Sequence, residues 1–167
     1  GRAFDRGELV KRELPHGNAG DFQGFLLNTR LPKLADPRVR EALALSMDYE
    51  WMNRQLFYNS YTRVRGFFVG SDFEAKGLPD EAERELLEPL RDKLPPEVFT
   101  QPVPLPPNTD PPGSLRANLR KAKALLEAAG WTYRDGALRN ARGEPLTLEY
   151  LDGGSGERTF APYVQAL

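Results

Sequence analysis

The segment YTRVRGFF, residues 61–68, contains the side chains whose types and spacing best suit binding chemistry. Arginine can hold a carboxylate or a phosphate with two hydrogen bonds, and tyrosine and phenylalanine offer flat apolar surfaces. A loop that alternates the two is suited to hold a peptide or a nucleobase. The alternative interpretation is a structural loop, with aromatic rings packed inward and arginines paired with nearby acids.

Catalytic and metal-binding chemistry has little support in the remaining residues. His16 is the single histidine and there is no cysteine, so the chain cannot build a histidine metal cluster, a Ser-His-Asp triad or a thiolate site. Carboxylates are plentiful, but no spacing singles out an acid/base pair. The glycine-rich segment DGGSGE, residues 152–157, lacks the Gly-Lys-Ser/Thr ending of a phosphate-binding loop. The sequence therefore predicts no enzyme activity and no cofactor.

Bulk composition is that of an ordinary soluble domain. The 167 residues are 40% hydrophobic and 28% charged, and 23 basic residues nearly balance 24 acidic ones. This balance argues against nucleic acid as a partner, although Trp131 and Tyr133 lie close to basic residues. No N-terminal signal-peptide pattern is present, and we expect both ends to be cuts from a longer precursor.

The elements that position the loop are predicted from capping and periodicity. FQGFLLNT, residues 22–29, is predicted to be a buried strand. Asp36 and Pro37 predict the start of a helix whose apolar residues recur at helical spacing to about Phe57. Residues 1–21 are predicted to be a peripheral segment.

The second half of the chain has clearer signals for the starts and ends of its elements. Residues 80–92 are predicted to be a helix that Pro89 bends or ends. Residues 94–113 are rich in proline and are either a linker or a stiff strap on the domain itself. A helix follows from Ser114 to its stop at Gly130, with an apolar stripe and a basic face at residues 116–123.

The last part of the chain predicts a hairpin and a strand. Asp135-Gly136 and Arg142-Gly143 are turn signals, and PLTLEYL, residues 145–151, alternates as a strand. Residues from Glu157 onward are predicted to be helical. The order of elements indicates an α+β fold.

Three stretches resemble the family 5 extracellular solute-binding proteins of ABC importers, which include the oligopeptide- and dipeptide-binding proteins. The matching sequence segments are FQGFLLNTRLPKLADPRVREALALSMDYEWMNRQLFYNSYTR, GLPDEAERELLEPLRDKLPPEVF and LRANLRKAKALLEAAGW with DGALRNARGEPLTLEYL. The segments EWMN, FYNSYTR and LLEPLRDKLPPEVF point to the YejA-like branch. The resemblance covers nearly the whole chain from about Phe22.

The resemblance implies that residues 1–167 are a partial domain of the C-terminal lobe of a larger, two-lobed periplasmic receptor. Helices packed on a small mixed sheet would form the unit known as the third domain. The receptor would capture oligopeptides or similar solutes, close around them with its second lobe and deliver them to an inner-membrane ABC permease. A signal peptide is expected in the full-length precursor.

The resemblance also directs attention to the aromatic and basic loop. The branch has a tyrosine, an arginine two residues later and usually a serine three residues after that, and here these positions are Tyr61, Arg63 and Gly66. Glycine cannot supply the hydroxyl. Together with the chemistry of the loop, this sequence match makes Tyr61, Arg63, Arg65 and Phe67 the candidate ligand-binding residues. The alternative function is a stand-alone protein interaction module that uses the basic helix face 116–123 or the Pro-rich strap.

Overall fold

A computed structural model describes residues 1–14 and 24–151. Its elements in chain order are α1 (Arg2–Asp5), α2 (Pro32–Ala35), α3 (Pro37–Leu45), α4 (Tyr49–Leu56), α5 (Glu81–Leu87), a 3₁₀ helix (Glu88–Lys93), α6 (Glu97–Thr100), α7 (Leu115–Ala128), β1 (Thr132–Arg134) and β2 (Ala137–Arg139). Among the described residues, none of the helices has the length and hydrophobicity of a transmembrane span.

The start of α3 is fixed by the cap that the sequence predicts. Asp36 accepts a hydrogen bond from the backbone N–H of Arg38, and Pro37 occupies the first turn, where its missing N–H is harmless. The guanidinium of Arg38 donates two hydrogen bonds to the same carboxylate and also donates to the carbonyl oxygen of Ala128 at 2.7 Å. The cap of α3 is thereby joined to the C-terminal end of α7.

The core lies between α3 and α7. Ala42, Leu45 and Ala122 are buried there, and Leu125 and Leu126 pack against them. At the rim, Lys121 Nζ of α7 lies 2.7 Å from the carboxylate of Glu41. Small alanines on both helices allow close approach, so this pair is the best-packed part of the described chain.

The helix predicted from Asp36 to Phe57 is two helices, so that prediction is wrong in its middle. The first ends at Leu45 and is followed by Ser46, whose hydroxyl donates to the carbonyl of Ala42. Asp48 then caps α4 by accepting from the N–H of Trp51. Periodicity could not reveal the break, because the apolar spacing continues across it while side chains of Ser46 and Asp48 compete with the helical backbone bonds.

The end of α7 is as predicted. Gly130 adopts φ of +87°, its N–H donates to Glu127, and the N–H of Trp131 donates to the carbonyl of Leu126. These two bonds form a Schellman motif, and a side chain at Gly130 would be strained. The chain then enters a hairpin, in which Thr132 pairs with Arg139 and Asp135-Gly136 form the turn.

The α+β class is confirmed, but the strand predictions need correction. Within the described residues, the sheet is the antiparallel pair β1–β2 rather than a mixed sheet. Residues 24–28 are not a strand, and Leu26 is 90% exposed. PLTLEYL pairs with β2 only at its start, where Pro145 bridges to Arg139 and the N–H of Leu146 donates to the carbonyl of Leu138 at 2.7 Å. A strand needs a continued ladder of such bonds, and within the described residues the ladder does not extend past Leu146. The helix predicted from Glu157 lies outside the described residues.

The Pro-rich segment 94–113 is in contact with the rest of the domain. It contains α6, and the backbone N–H of Val103 donates to the carbonyl of Gly77 at 3.0 Å. Near its end, Asp110 pairs with Arg54 of α4 at 2.6 Å. These contacts hold the segment, called here the strap, against α4 and the residues before α5. On its N-terminal side, α5 gives way to a 3₁₀ helix at Glu88-Pro89, as predicted.

Candidate functional site

The loop that follows α4 is anchored at Tyr61. The side-chain amide of Asn53 donates to the carbonyl of Tyr61 at 2.7 Å and accepts from its N–H at 3.2 Å. The Tyr61 ring stands edge-on to Phe57, with ring centroids 4.8 Å apart. Tyr61 is therefore half-exposed at the base of the loop, where it is held by α4.

Arg63 points into the domain. Its guanidinium donates to Glu50 at 3.3 Å and to the carbonyl oxygen of Pro107, and lies 5.1 Å from the centre of the Tyr49 ring. Only 18% of its side chain is exposed. Arg63 thus ties three parts of the chain together: the loop, α4 and the Pro-rich strap.

Glu50 is the carboxylate at the centre of these contacts, which together are called here the tie. Its Oε2 accepts from the N–H of Thr109 at 3.0 Å and lies 2.7 Å from the Thr109 hydroxyl, which is also 2.5 Å from Asp48 Oδ1. Burial opposes ionisation of Glu50, but the bonds from Thr109 and the charge of Arg63 outweigh it, so the pKa of Glu50 lies below its ordinary value. In the described chain, the neighbouring Tyr49 hydroxyl is buried without a hydrogen-bond partner, and burial raises the pKa of Tyr49.

Arg65 is paired at the outer end of the loop. Its guanidinium lies 3.1 Å from Oε1 of Glu74, whose Oε2 accepts from the N–H of Gly70 at 3.0 Å. Lys76 approaches the same carboxylate at 3.6 Å. The hydrogen bond from Gly70 and these two cations place the pKa of Glu74 below its ordinary value. The carboxylate is enclosed, whereas half of the Arg65 side chain is exposed.

Three phenylalanines surround the Arg65–Glu74 pair and face solvent in this chain. Phe67 is 84% exposed, Phe68 62% and Phe73 81%. Together with Arg65 and Val103 they line a pocket of about 210 Å³. The rings of Phe68 and Phe73 meet edge to face, with centroids 6.3 Å apart. The pocket is apolar on its walls and polar at one edge, as small-ligand sites commonly are.

The four candidate residues therefore divide into two groups. Arg65 and Phe67 line the pocket, whereas Tyr61 and Arg63 hold the loop in place. The alternative interpretation is a purely structural loop. It agrees with the arginines, which are paired with acids, but not with the phenylalanines, which are exposed. Sequence reasoning missed Phe73 and Glu74. The signal was available in the glycine at position 70, which turns the chain back toward Arg65.

The surfaces named for the alternative function take part in some contacts within the chain. On the basic face, Lys121 pairs with Glu41, and Lys123 with Glu127 at 2.5 Å. The strap is bound to α4 through Thr109 and Asp110. No group of three or more His, Cys, Asp or Glu residues arranged to hold a metal ion occurs in the ranges that the structure describes.

Comparisons with known proteins agree on one family. Residues 4–166 match the model of the bacterial extracellular solute-binding proteins, family 5 middle. A protein of Agrobacterium fabrum named "Probable peptide-binding protein YejA" is 41% identical over 99% of this chain, and the YejA protein of Escherichia coli is 41% identical over 90%. The "Peptidoglycan-binding protein YepA" of Agrobacterium fabrum is 33% identical over 89%. The chain spans only 27%, 25% and 24% of these three relatives.

Proposed function

The chain belongs to family 5 of the bacterial extracellular solute-binding proteins and is YejA-like, and on this premise we propose that it is part of the substrate-binding component of an ABC importer. Its role in the whole receptor is to bind rather than to catalyse. The receptor captures its ligand in the periplasm, and its precursor carries a signal peptide. An inner-membrane permease then receives the ligand.

We propose that residues 1–167 form a partial domain of one lobe, which closes with a second lobe over the ligand. Two-lobed receptors hold a ligand in the cleft between lobes that move about a hinge. The pocket formed by Arg65, Phe67 and Phe73 supports this role, because it is apolar, exposed and carried by a loop that ion pairs hold in place. It is the observation on which the proposal rests.

The proposed ligand is an oligopeptide or a peptide-like solute. The pocket volume of about 210 Å³ suits one side chain, and its phenyl rings suit an apolar or aromatic one. The names of two relatives specify peptide and peptidoglycan as their ligands, and short peptides are a chemical part of peptidoglycan. Both kinds of peptide therefore belong in the test.

Within the site, Arg65 and Phe67 are proposed to contact the ligand. Tyr61 and Arg63 are proposed to position the loop, since Arg63 has its guanidinium committed to Glu50 and the carbonyl of Pro107. Removal of Phe67 should then change affinity directly. Removal of Arg63 should change it only through the shape of the loop.

The test is isothermal titration of the full-length protein with linear peptides of two to six residues and with a peptidoglycan stem peptide. The Phe67→Ala variant is expected to weaken the best ligand by about tenfold, the scale of a lost ring contact. Phe4→Ala is the matched control, because Phe4 is also an exposed phenylalanine, 55% exposed, but lies in α1.

Two results would count against the proposal in different ways. If no peptide of either kind binds, the ligand class is wrong. If peptides bind and Phe67→Ala matches the Phe4→Ala control, the receptor function stands but the loop pocket is not its site.

A further inference from the structure

The pocket beside Phe67 has an edge that carries net positive charge. Among its lining residues, Arg65 and Glu74 are charged, and the Lys76 ammonium lies 3.6 Å from the Glu74 carboxylate. Two cations and one carboxylate leave a surplus of one positive charge at this edge. Asp72 is close in sequence, but it does not line the pocket. The edge therefore attracts a negatively charged group.

The surplus charge is on the side chains that solvent can reach. Both oxygens of Glu74 are engaged, since Oε1 lies 3.1 Å from the Arg65 guanidinium and Oε2 accepts from the N–H of Gly70 at 3.0 Å. The Glu74 side chain is only 8% exposed, whereas those of Arg65 and Lys76 are 51% and 67% exposed. Glu74 thus holds the two cations in place without covering them.

Arg65 keeps hydrogen-bond donors for a second carboxylate. Among the described residues, the hydrogen bond recorded for its guanidinium runs from Nη2 to Glu74. A guanidinium carries further N–H groups in a planar arrangement that matches a carboxylate. The phenyl rings beside it exclude water, and such a charged hydrogen bond is stronger in a less polar environment.

The chemistry of a peptide decides which of its groups can meet both parts of this pocket. Successive side chains of an extended peptide point to opposite faces. When one side chain enters the pocket, its neighbours point away, so the group that reaches Arg65 is the main chain of the same residue. That main chain is an anion only at the last residue, where the α-carboxylate is free. A first residue would instead bring an ammonium group, which the surplus positive charge repels.

We infer that the pocket beside Phe67 binds the C-terminal residue of the peptide, with its apolar side chain among the phenyl rings of Phe67, Phe68 and Phe73 and its α-carboxylate on Arg65, beside Lys76. This inference rests on the proposed function, in which the pocket holds part of a peptide. It adds an end of the ligand and a specificity residue, Lys76. A large side chain is favoured, because an alanine methyl group would leave most of the 210 Å³ unfilled.

Isothermal titration of the full-length protein with defined peptides tests the inference. The probes are Ala-Ala-Phe and Ala-Ala-Ala-Ala-Phe, each as the free acid and as the C-terminal amide, and the same compositions with phenylalanine first. We expect the amides to bind at least about tenfold more weakly than the acids, the scale of a lost hydrogen bond to a charged group. Phenylalanine in first place should weaken binding by about tenfold as well, because the ring then no longer enters the pocket.

Three variants locate the group that holds the carboxylate. Arg65→Met should bring the ratio of the amide Kd to the acid Kd close to one, and Lys76→Met should lower this ratio less, because the bond from Arg65 remains. Arg91→Met is the matched control, since Arg91 is 52% exposed, pairs with Glu88 and does not line the pocket. It should keep the full ratio. All three pairs are exposed on their cationic side, so the variants are expected to fold.

The possible results separate this inference from the function on which it rests. If the unmodified protein binds acids and amides equally, the inference is overturned while peptide binding stands. The same holds if Arg65→Met and Lys76→Met both keep the full ratio, because the carboxylate is then held elsewhere in the receptor. Equal affinity for phenylalanine in first and last place overturns the assignment of the last side chain to the pocket. If these probes and all other peptides fail to bind, the proposed function and this inference fall together.

Discussion

The α3–α7 pair and the segment from Tyr61 to Leu105 use apolar residues in opposite ways. In the first, Val39, Ala42 and Leu45 are 0%, 1% and 4% exposed. In the second, Phe73 and Leu86 are about four-fifths exposed. Both regions are rich in apolar side chains, yet among the described residues those of the first are buried and many of those of the second are exposed.

The difference indicates a division of labour. The α3–α7 pair is satisfied by residues close to it in the fold, so it can act as a scaffold whatever is bound elsewhere. The second region keeps its shape through polar ties, chiefly those of Arg63, and leaves its apolar surface for something else to cover. Stability and recognition are therefore expected to separate in mutational tests.

The largest effect is expected from a cavity in the scaffold. Leu45→Ala should lower the free energy of unfolding of the full-length protein by about 3 kcal/mol, because Leu45 is 4% exposed and packs between α3 and α7. Urea denaturation measures it. Leu119→Ala, at a position 44% exposed on α7, should cost clearly less.

The comparison would break if Phe67→Ala cost as much as Leu45→Ala in the same measurement. Such a result would mean that the phenylalanine pocket is part of a packed core in the whole protein. We expect instead that Phe67→Ala changes ligand affinity and leaves the urea midpoint almost unchanged.

The next largest effect is expected where Arg63 joins the loop to α4 and the strap. Arg63→Met keeps the length of the side chain but leaves Glu50, 16% exposed, without its cation. The cost should be about 2 kcal/mol, less than the ~3–5 kcal/mol of a fully buried pair. Hydrogen exchange should also increase at Thr109 and in residues 61–66, which the tie joins.

Arg65→Met is the control for this variant. It also breaks an arginine–carboxylate pair, but the Arg65 side chain is 51% exposed, and Glu74 keeps Lys76 and the N–H of Gly70 as partners, so the loss should be about 0.5 kcal/mol or less. Equal losses in the two variants would show that Arg63 does not hold the strap, and the division between tie and pocket would have to be abandoned.

The features that the sequence predicted well are those in which one residue has one dominant conformational use. The caps Asp36 and Ser114, the stop at Gly130 and the turn at Asp135-Gly136 all stand where the pattern indicates. In each case, a short-range hydrogen bond or a positive φ decides the outcome, and no distant partner is required.

The features that the sequence did not predict depend on distant partners. Residues 24–28 and 146–150 have the composition of strands, but apart from the bond from Leu146 to Leu138 they form no strand pairing within the described chain. The inward position of Arg63 likewise depends on Pro107, 44 residues away. Local chemistry made Arg63 and Arg65 look alike, and only the strap separates them.

Removing one N-cap side chain from each region should show whether its helix contributes to global stability. The loss of such a cap costs about 1 kcal/mol of helix stability. Ser114 caps α7 by accepting from Ala117, and Asp80 caps α5 by accepting from Glu83. Ser114→Ala should lower global stability, because α7 is packed in the core. Asp80→Ala should instead raise hydrogen exchange within Glu81–Leu87, a helix without buried residues, and leave global stability nearly unchanged.

Segment-resolved hydrogen exchange on the full-length protein reads both cap variants in one experiment. A global loss from Asp80→Ala equal to that from Ser114→Ala would show that α5 unfolds together with the core. The comparison would then be between two parts of a single cooperative unit.

The smallest effect is expected in the pH dependence of stability. Hydrogen bonds from Thr109 and the charge of Arg63 hold the pKa of Glu50 below its ordinary value of 4.5 against the cost of burial. A lowered folded-state pKa stabilises the protein above the unfolded pKa, and this contribution disappears as the pH falls through the folded value. Glu50→Gln should therefore destabilise the protein most near neutral pH and least in acid, as measured by urea midpoints from about pH 7 downward.

Glu85→Gln, which removes an exposed carboxylate from α5, controls for the loss of negative charge. If the Glu50→Gln deficit stayed constant below pH 4.5, the carboxylate would be acting through its shape alone, and the electrostatic part of the tie would be refuted.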